Sequence, residues 1–172
     1  MSKVIHALAA AAAVLAVMSV DAGLQPANAQ ATVAFRGYPT GTIVVSTGQR
    51  RLYYVVSGGR AIAYPVGVGK AGQQWSGTSS ITGKYIKPAW SPPADIARAN
   101  PRLPKVIEGG SPRNPMGAAA LTLSGGEYAI HGTNAPGSIG GFVSHGCIRM
   151  HNRHVMDLYA RVSVGTQVVV TR

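Results

Sequence analysis

Ser144-His145-Gly146-Cys147-Ile148-Arg149-Met150, preceded across a glycine-rich loop by Ile130-His131-Gly132-Thr133, is the stretch on which the reading of this chain turns. Cys147 is the only cysteine in the sequence. A free thiol is only a few per cent ionised at neutral pH, so a nucleophilic cysteine needs a base or a cation beside it. The sequence offers two histidines, His145 in the same run and His131 one loop upstream. Gly132 follows one of them and Gly146 precedes the cysteine; without side chains there, backbone carbonyls and amides can approach the reacting groups. A carbonyl could fix an imidazole tautomer, and amides could form an oxyanion site.

Working outward, the N-terminal residues 1–29 read as a secretory leader. Lys3 is the positive start, Val4 to Val20 the apolar stretch, and Ala27-Asn28-Ala29 a small-x-small cleavage site before Gln30. Export sharpens the meaning of the cysteine, because exported chains use cysteines in pairs and a single one points to an intermolecular bridge or a reactive thiol. The expected location is the periplasm. The remaining residues divide into a lead-in segment, 30–40, and one catalytic-sized domain, 41–172.

The formal net charge is +11, and Lys3 and Asp21 of the leader cancel, so the exported domain keeps all of it. Such a field favours anionic partners. An exported chain with neither a basic helix nor an aromatic RNA-binding pattern is not expected to bind nucleic acid, whereas an anionic wall polymer or membrane surface suits the compartment.

The pattern along the domain is mainly β. Thr42 to Ser46, Arg51 to Val56 and Ala61 to Val68 are β-branched or aromatic runs separated by Thr47-Gly48-Gln49 and Ser57-Gly58-Gly59, which predicts consecutive hairpins. Ala118 to Leu123 and Glu127 to His131 repeat this around Ser124-Gly125-Gly126, and Gln167 to Thr171 reads as a last strand. Two helices are expected, a short one over Ala94 to Ala99 and one over Arg153 to Val162 capped by Asn152, with Val155, Leu158, Tyr159 and Val162 at helical spacing. Residues 70–115 are rich in Gly, Pro and Ser and carry no assignable pattern; long loops of that kind often form binding surfaces or lids.

Trp90-Ser91-Pro92-Pro93, Asn114-Pro115-Met116-Gly117-Ala118, Ile130-His131-Gly132-Thr133-Asn134, Ser138-Ile139-Gly140, Ser144 to Met150 and Val164-Gly165-Thr166-Gln167-Val168 together form an ordered series. That series resembles the L,D-transpeptidase catalytic domain of the YkuD type, over about Gly41 to Arg172. The resemblance implies a β-sandwich-like catalytic fold, peptidoglycan tetrapeptide stems as substrate, and no metal or organic cofactor. It also implies Cys147 as nucleophile, His131 as its base with the Gly132 carbonyl orienting it, and His145, Gly146 and Cys147 around the oxyanion. Ser144 and Arg149 would support that site or the substrate. Asn134 and Trp90 are further candidate substrate contacts, and Trp90 also reads as a packing residue. The acyl acceptor would be a diaminopimelate amine, a wall-anchored outer-membrane protein, a free D-amino acid or water. The chain is expected to act as a monomer. One departure from the family pattern is Ser79-Ser80-Ile81-Thr82-Gly83, where many members carry a Thr-Pro-Thr-Gly turn.

Other readings of the same residues stand beside this one. Cys147 could be a buried structural thiol, and His145 could be the base in place of His131. His131, His145, Cys147, His151 and His154 could form a zinc site, although their spacing fits no familiar zinc pattern; His151 and His154 are otherwise expected at the helix entry and the surface. A non-catalytic wall-binding module would also use the basic surface.

Overall fold

The computed structural model describes residues 30–172, and the leader expected over 1–29 lies outside them. Ten strands and two α-helices follow in the order β1 Ala31–Ala34, β2 Ile43–Ser46, β3 Arg51–Val56, β4 Arg60–Gly69, β5 Gly77–Ile86, α1 Ala94–Ala99, β6 Ala119–Leu123, β7 Ala129–His131, β8 Phe142–Ser144, β9 Ile148–Met150, α2 Asn152–Arg161 and β10 Gln167–Thr171.

Two long strands explain the architecture. Through its first half β4 pairs antiparallel with β1 and β3, and through Val66 and Gly67 it pairs with β9. Likewise β5 pairs with β10 over Gly77 to Ser80 and with β6 from Ile81 onward, with a register shift between Ile81 and Gly83. Each strand therefore passes from one sheet into the other, and the sheets close on each other as the β-sandwich-like fold expected from the sequence. Of the two, β4 is covered on both faces, whereas β5 is buried only at Ser79, Ile81 and Gly83. The residues of β4 after Arg60 are buried accordingly, and they read in the sequence as a nearly unbroken apolar run.

The hairpins predicted from the turn signals are present: β2, β3 and β4 pair in succession, with Val45 opposite Leu52 and Tyr54 opposite Ile62. β10 inserts parallel to β2 and antiparallel to β5. Residues 70–115, unassigned from the sequence, contain the whole of β5. Its run Gly-Thr-Ser-Ser-Ile-Thr-Gly has little apolar character, and it becomes a strand because two neighbours supply its backbone partners. The Ser79-Ser80-Ile81-Thr82-Gly83 departure thus lies within a strand, where the Ser79 hydroxyl donates to the Ser124 carbonyl at 2.8 Å.

The core joins Ile43, Val45, Leu52, Tyr64, Val66 and Val68 to Leu121, Ile130, Ile148 and Met150, and to Val155, Leu158 and Val162 at α2. Each such side chain stabilises the fold by about 1.5–3 kcal/mol relative to exposure. Two polar ties hold α2 to it. Tyr64 donates to Asp157 Oδ2 at 2.5 Å, and Asp157 in turn pairs with Arg161 at 2.8 Å. At the other end Lys84 Nζ donates to the carbonyls of Tyr159 (2.8 Å) and Val162 (2.5 Å), placing a cation at the negative end of the helix.

Two expectations about α2 need correction. The helix begins at Asn152, its N-cap residue is His151, and no side chain caps it. Asn152 is committed elsewhere: its Oδ1 accepts from the amides of Ala118 and Thr133 and its Nδ2 donates to the Thr133 carbonyl, each at 3.0 Å. His154 is not a surface residue; it is 2% exposed and its ring lies 5.6 Å from that of Tyr64. Helical spacing puts it on the same face as Val155 and Leu158, which the core requires.

Candidate active site

β7 and β9 run side by side in parallel, with Ile130 opposite Ile148 and His131 opposite Arg149. Side chains alternate along a strand, so His131 and Arg149 share a face, and Cys147, two residues before Arg149, is aimed to the same side. These three side chains line one cavity of about 210 Å³ together with Ser144, His145, Tyr128 and Trp90. The rest of its wall comes largely from residues 70–115: Gln73, Pro93, Asp95, Ile96 and Pro115. The stretch without pattern in the sequence is the enclosure of the site.

His131 is 4% exposed, and its Nδ1–H donates to the Gly132 carbonyl at 2.7 Å, which leaves Nε2 as the acceptor nitrogen. Asn152 holds the segment that carries this carbonyl. A Cβ at Gly132 would collide with Asn152 Oδ1 and lie 2.8 Å from the Ala118 amide, so a side chain there has no room. Burial lowers the His131 pKa to about 4, with the Arg149 charge acting in the same direction and the Gly132 hydrogen bond opposing them.

Cys147 is partly buried, and its Sγ–H points to the Glu127 carbonyl at 3.9 Å. Burial pushes its thiol upward, against smaller lowering effects of the Ala129 backbone and the Arg149 charge. The resting pair is therefore a neutral thiol with a neutral imidazole. Desolvation of both partners opposes a standing thiolate–imidazolium pair.

The turn carrying the thiol is braced by Ser144. This side chain, 2% exposed, donates to the Cys147 carbonyl at 2.6 Å and accepts from the Gly146 amide at 3.1 Å. The Gly146 N–H is thus already bonded within the turn, whereas the Cys147 amide takes no part in the backbone hydrogen bonds outside the strand ladders. His145 is exposed, and Lys70 Nζ lies 3.3 Å from its Nε2.

Trp90 joins Ile107 by a two-way backbone bridge at the cavity edge. Asn134 is not brought to the thiol; it lines a separate cavity of about 450 Å³ with Lys87, Ser111, Thr133 and Asn152. Among the described residues no group of three or more His, Cys, Asp or Glu side chains is arranged to hold a metal ion. Three residues that the sequence reading passed over matter here: Asn152, assigned to a helix cap; Tyr128, within a predicted strand; and Trp75, in the unassigned stretch. Tyr128 and Trp75 stack with ring centroids 5.0 Å apart against the turn that carries Cys147.

Residues 40–170 match the model of the L,D-transpeptidase catalytic domain. The chain belongs to that family. One relative, "Probable L,D-transpeptidase YbiS" of Escherichia coli K12, is 41% identical over 135 residues, which cover 73% of this chain and 43% of the relative. The chain thus spans less than half the length of that L,D-transpeptidase. Among solved structures, an L,D-transpeptidase from Mycobacterium smegmatis superposes with a TM-score of 0.60 at 22% identity, covering 76% of this chain and 58% of its own. L,D-transpeptidase 3 from Mycobacterium tuberculosis, solved in complex with a faropenem-derived adduct, gives a TM-score of 0.59 at 16% identity over 76% of this chain and 60% of its own. These two establish a shared fold with solved L,D-transpeptidases. The motifs that first suggested the family, from Trp90 to Val168, fall within the matched residues.

Proposed function

We propose that this protein is an exported L,D-transpeptidase that uses Cys147 to cleave the diaminopimelate–D-alanine bond of a peptidoglycan tetrapeptide stem and passes the acyl group to an amine. The observation that carries the proposal is the meeting of Cys147, His131 and Arg149 in one cavity of a chain that belongs to this family.

In the proposed sequence, Sγ attacks the carbonyl of the L-centre of diaminopimelate while His131 Nε2 takes the thiol proton. Proton transfer during attack suits a pair that rests uncharged. The tetrahedral intermediate collapses as the imidazolium returns its proton to the departing D-alanine amine, leaving a thioester on Cys147. An acceptor amine then attacks the thioester and gives up its proton to His131; the C–S bond breaks, and the imidazolium returns a proton to the departing sulfur to restore the Cys147 thiol. A second diaminopimelate as acceptor yields a 3→3 cross-link; a protein amine yields wall anchoring; a D-amino acid yields exchange. His131 is favoured over His145 as base because it is buried with its tautomer set by Gly132, whereas the Nε2 of His145 is approached by the Lys70 ammonium. Arg149 carries a buried Nε with no protein partner. A substrate carboxylate would satisfy it. The +11 charge favours concentration of the enzyme at an anionic wall, and a periplasmic location agrees with the leader pattern.

The test is incubation of purified protein with disaccharide-tetrapeptides and mass spectrometry of the products. Loss of D-alanine with a new 3→3 dimer or amine adduct, absent with Cys147→Ala, is expected. Release of D-alanine by water alone would make the protein an L,D-carboxypeptidase, and full turnover by Cys147→Ala would overturn the reading.

A further inference from the structure

The loop between β4 and β5 brings Trp75 against the turn that carries the thiol. Its Nε1–H donates to the Gly146 carbonyl at 3.0 Å, and its ring stacks on Tyr128 with planes 8° apart. Gly146 is pressed against that same Tyr128: its φ is 120°, and a Cβ there would collide with the ring. The Gly146 carbonyl and the Cys147 amide belong to one peptide unit. No peptide bond among the described residues is cis, so in this unit C=O and N–H point in opposite directions. Anchoring the carbonyl on the indole therefore sets the direction of the Cys147 N–H, away from Trp75.

We propose that Trp75 is a positioning residue, which aims the Cys147 amide as an oxyanion donor by holding the Gly146 carbonyl. The proposal rests on the transpeptidase reading above. Ser144 already takes the Gly146 amide, so the stabilisation of a developing oxyanion by this turn falls to the Cys147 amide, whose aim the indole governs. A preorganised donor lowers the barrier only when it is already aimed at the site of the developing charge. Tyr128 acts with Trp75 as a flat backstop that keeps the turn from rotating.

The discriminating experiment compares two reactions of the same thiol. Acylation by a stem peptide passes through an oxyanion, whereas alkylation by iodoacetamide is a displacement at carbon that develops none. Trp75→Phe keeps a ring for Tyr128 but lacks the donor, and benzothienylalanine at position 75 keeps the indole's shape without its N–H. Both substitutions are expected to lower kcat for D-alanine release by roughly 10- to 100-fold, with KM and the alkylation rate changed less than about twofold. Equal loss of acylation and alkylation would make Trp75 a packing residue and overturn the proposal, as would wild-type kcat in both variants. Wild-type protein that alkylates but never releases D-alanine would instead sink the transpeptidase reading, and this inference with it. If Trp75→Phe fails to fold, the isosteric variant decides alone.

Discussion

His131 donates its Nδ1–H to the carbonyl of the very next residue, Gly132, at 2.7 Å. The ring is thereby turned so that its basic nitrogen faces away from its own backbone, and burial keeps it unprotonated down to about pH 4. The base form is the only one able to accept the thiol proton. The acid limb of kcat/KM is therefore expected near pH 4, well below the range of an ordinary histidine. His131→Ala should lower kcat/KM by at least about 100-fold and abolish that limb. A pH–rate profile for wild type and variant checks both, and a limb that persists in His131→Ala would assign it to another group.

Burial raises the Cys147 thiol, so ordinary alkylation should be slow at neutral pH and accelerate with a midpoint above that of a free cysteine. Acylation by a strained β-lactam carbonyl should still proceed if, as proposed, His131 removes the proton during attack. A carbapenem is expected to give a one-to-one adduct mapped to Cys147 by peptide mass spectrometry, with penicillins slower. Cys147→Ala should form none while keeping its melting temperature within a few degrees. A carbapenem adduct elsewhere, or fast alkylation at pH 7, would contradict a neutral resting thiol that is activated only during attack.

Two buried imidazoles also set the acid stability. His131 and His154 both titrate at about 4 in the fold, each held down chiefly by burial, against 6.5 for an ordinary histidine. Below pH 6.5 the unfolded chain takes up protons that the folded chain refuses. Their contribution is thus complete above that pH and is lost progressively as pH falls towards 4. The urea midpoint should decline across this window, and His154→Gln should reduce the slope of the decline whatever it does to the absolute midpoint.

Asn152 ties α2 to Ala118 and to Thr133, two residues after His131, through three hydrogen bonds. Asn152→Ala would leave the Ala118 and Thr133 amides without this acceptor, at a cost of about 1–3 kcal/mol. It should also loosen Gly132 and with it the orientation of His131. A lower urea midpoint together with reduced kcat is expected; Asn152→Asp, which keeps the acceptor, should recover part of both. Unchanged stability in Asn152→Ala would show that solvent replaces these bonds.

Much of this protein is written in local sequence. The hairpins β2 to β4 follow from β-branched runs between glycine turns, β10 from Gln167 to Thr171, and α2 from apolar residues at helical spacing, because each of these patterns is satisfied by near neighbours. The residues of the candidate site could be named in the same way, since cysteine, histidine and glycine carry their chemistry in their identity. Only the tertiary structure decided what those residues experience. Whether Cys147 and His131 rest charged or neutral depends on burial created by distant strands. Whether Asn152 caps a helix or ties two loops depends on what the fold brings within its reach. β5 has almost no apolar signal and exists because β6 and β10 pair with it. Trp75 acquires its place at Gly146 from a partner 71 positions away, and no pattern within a window of sequence can contain a contact of that length.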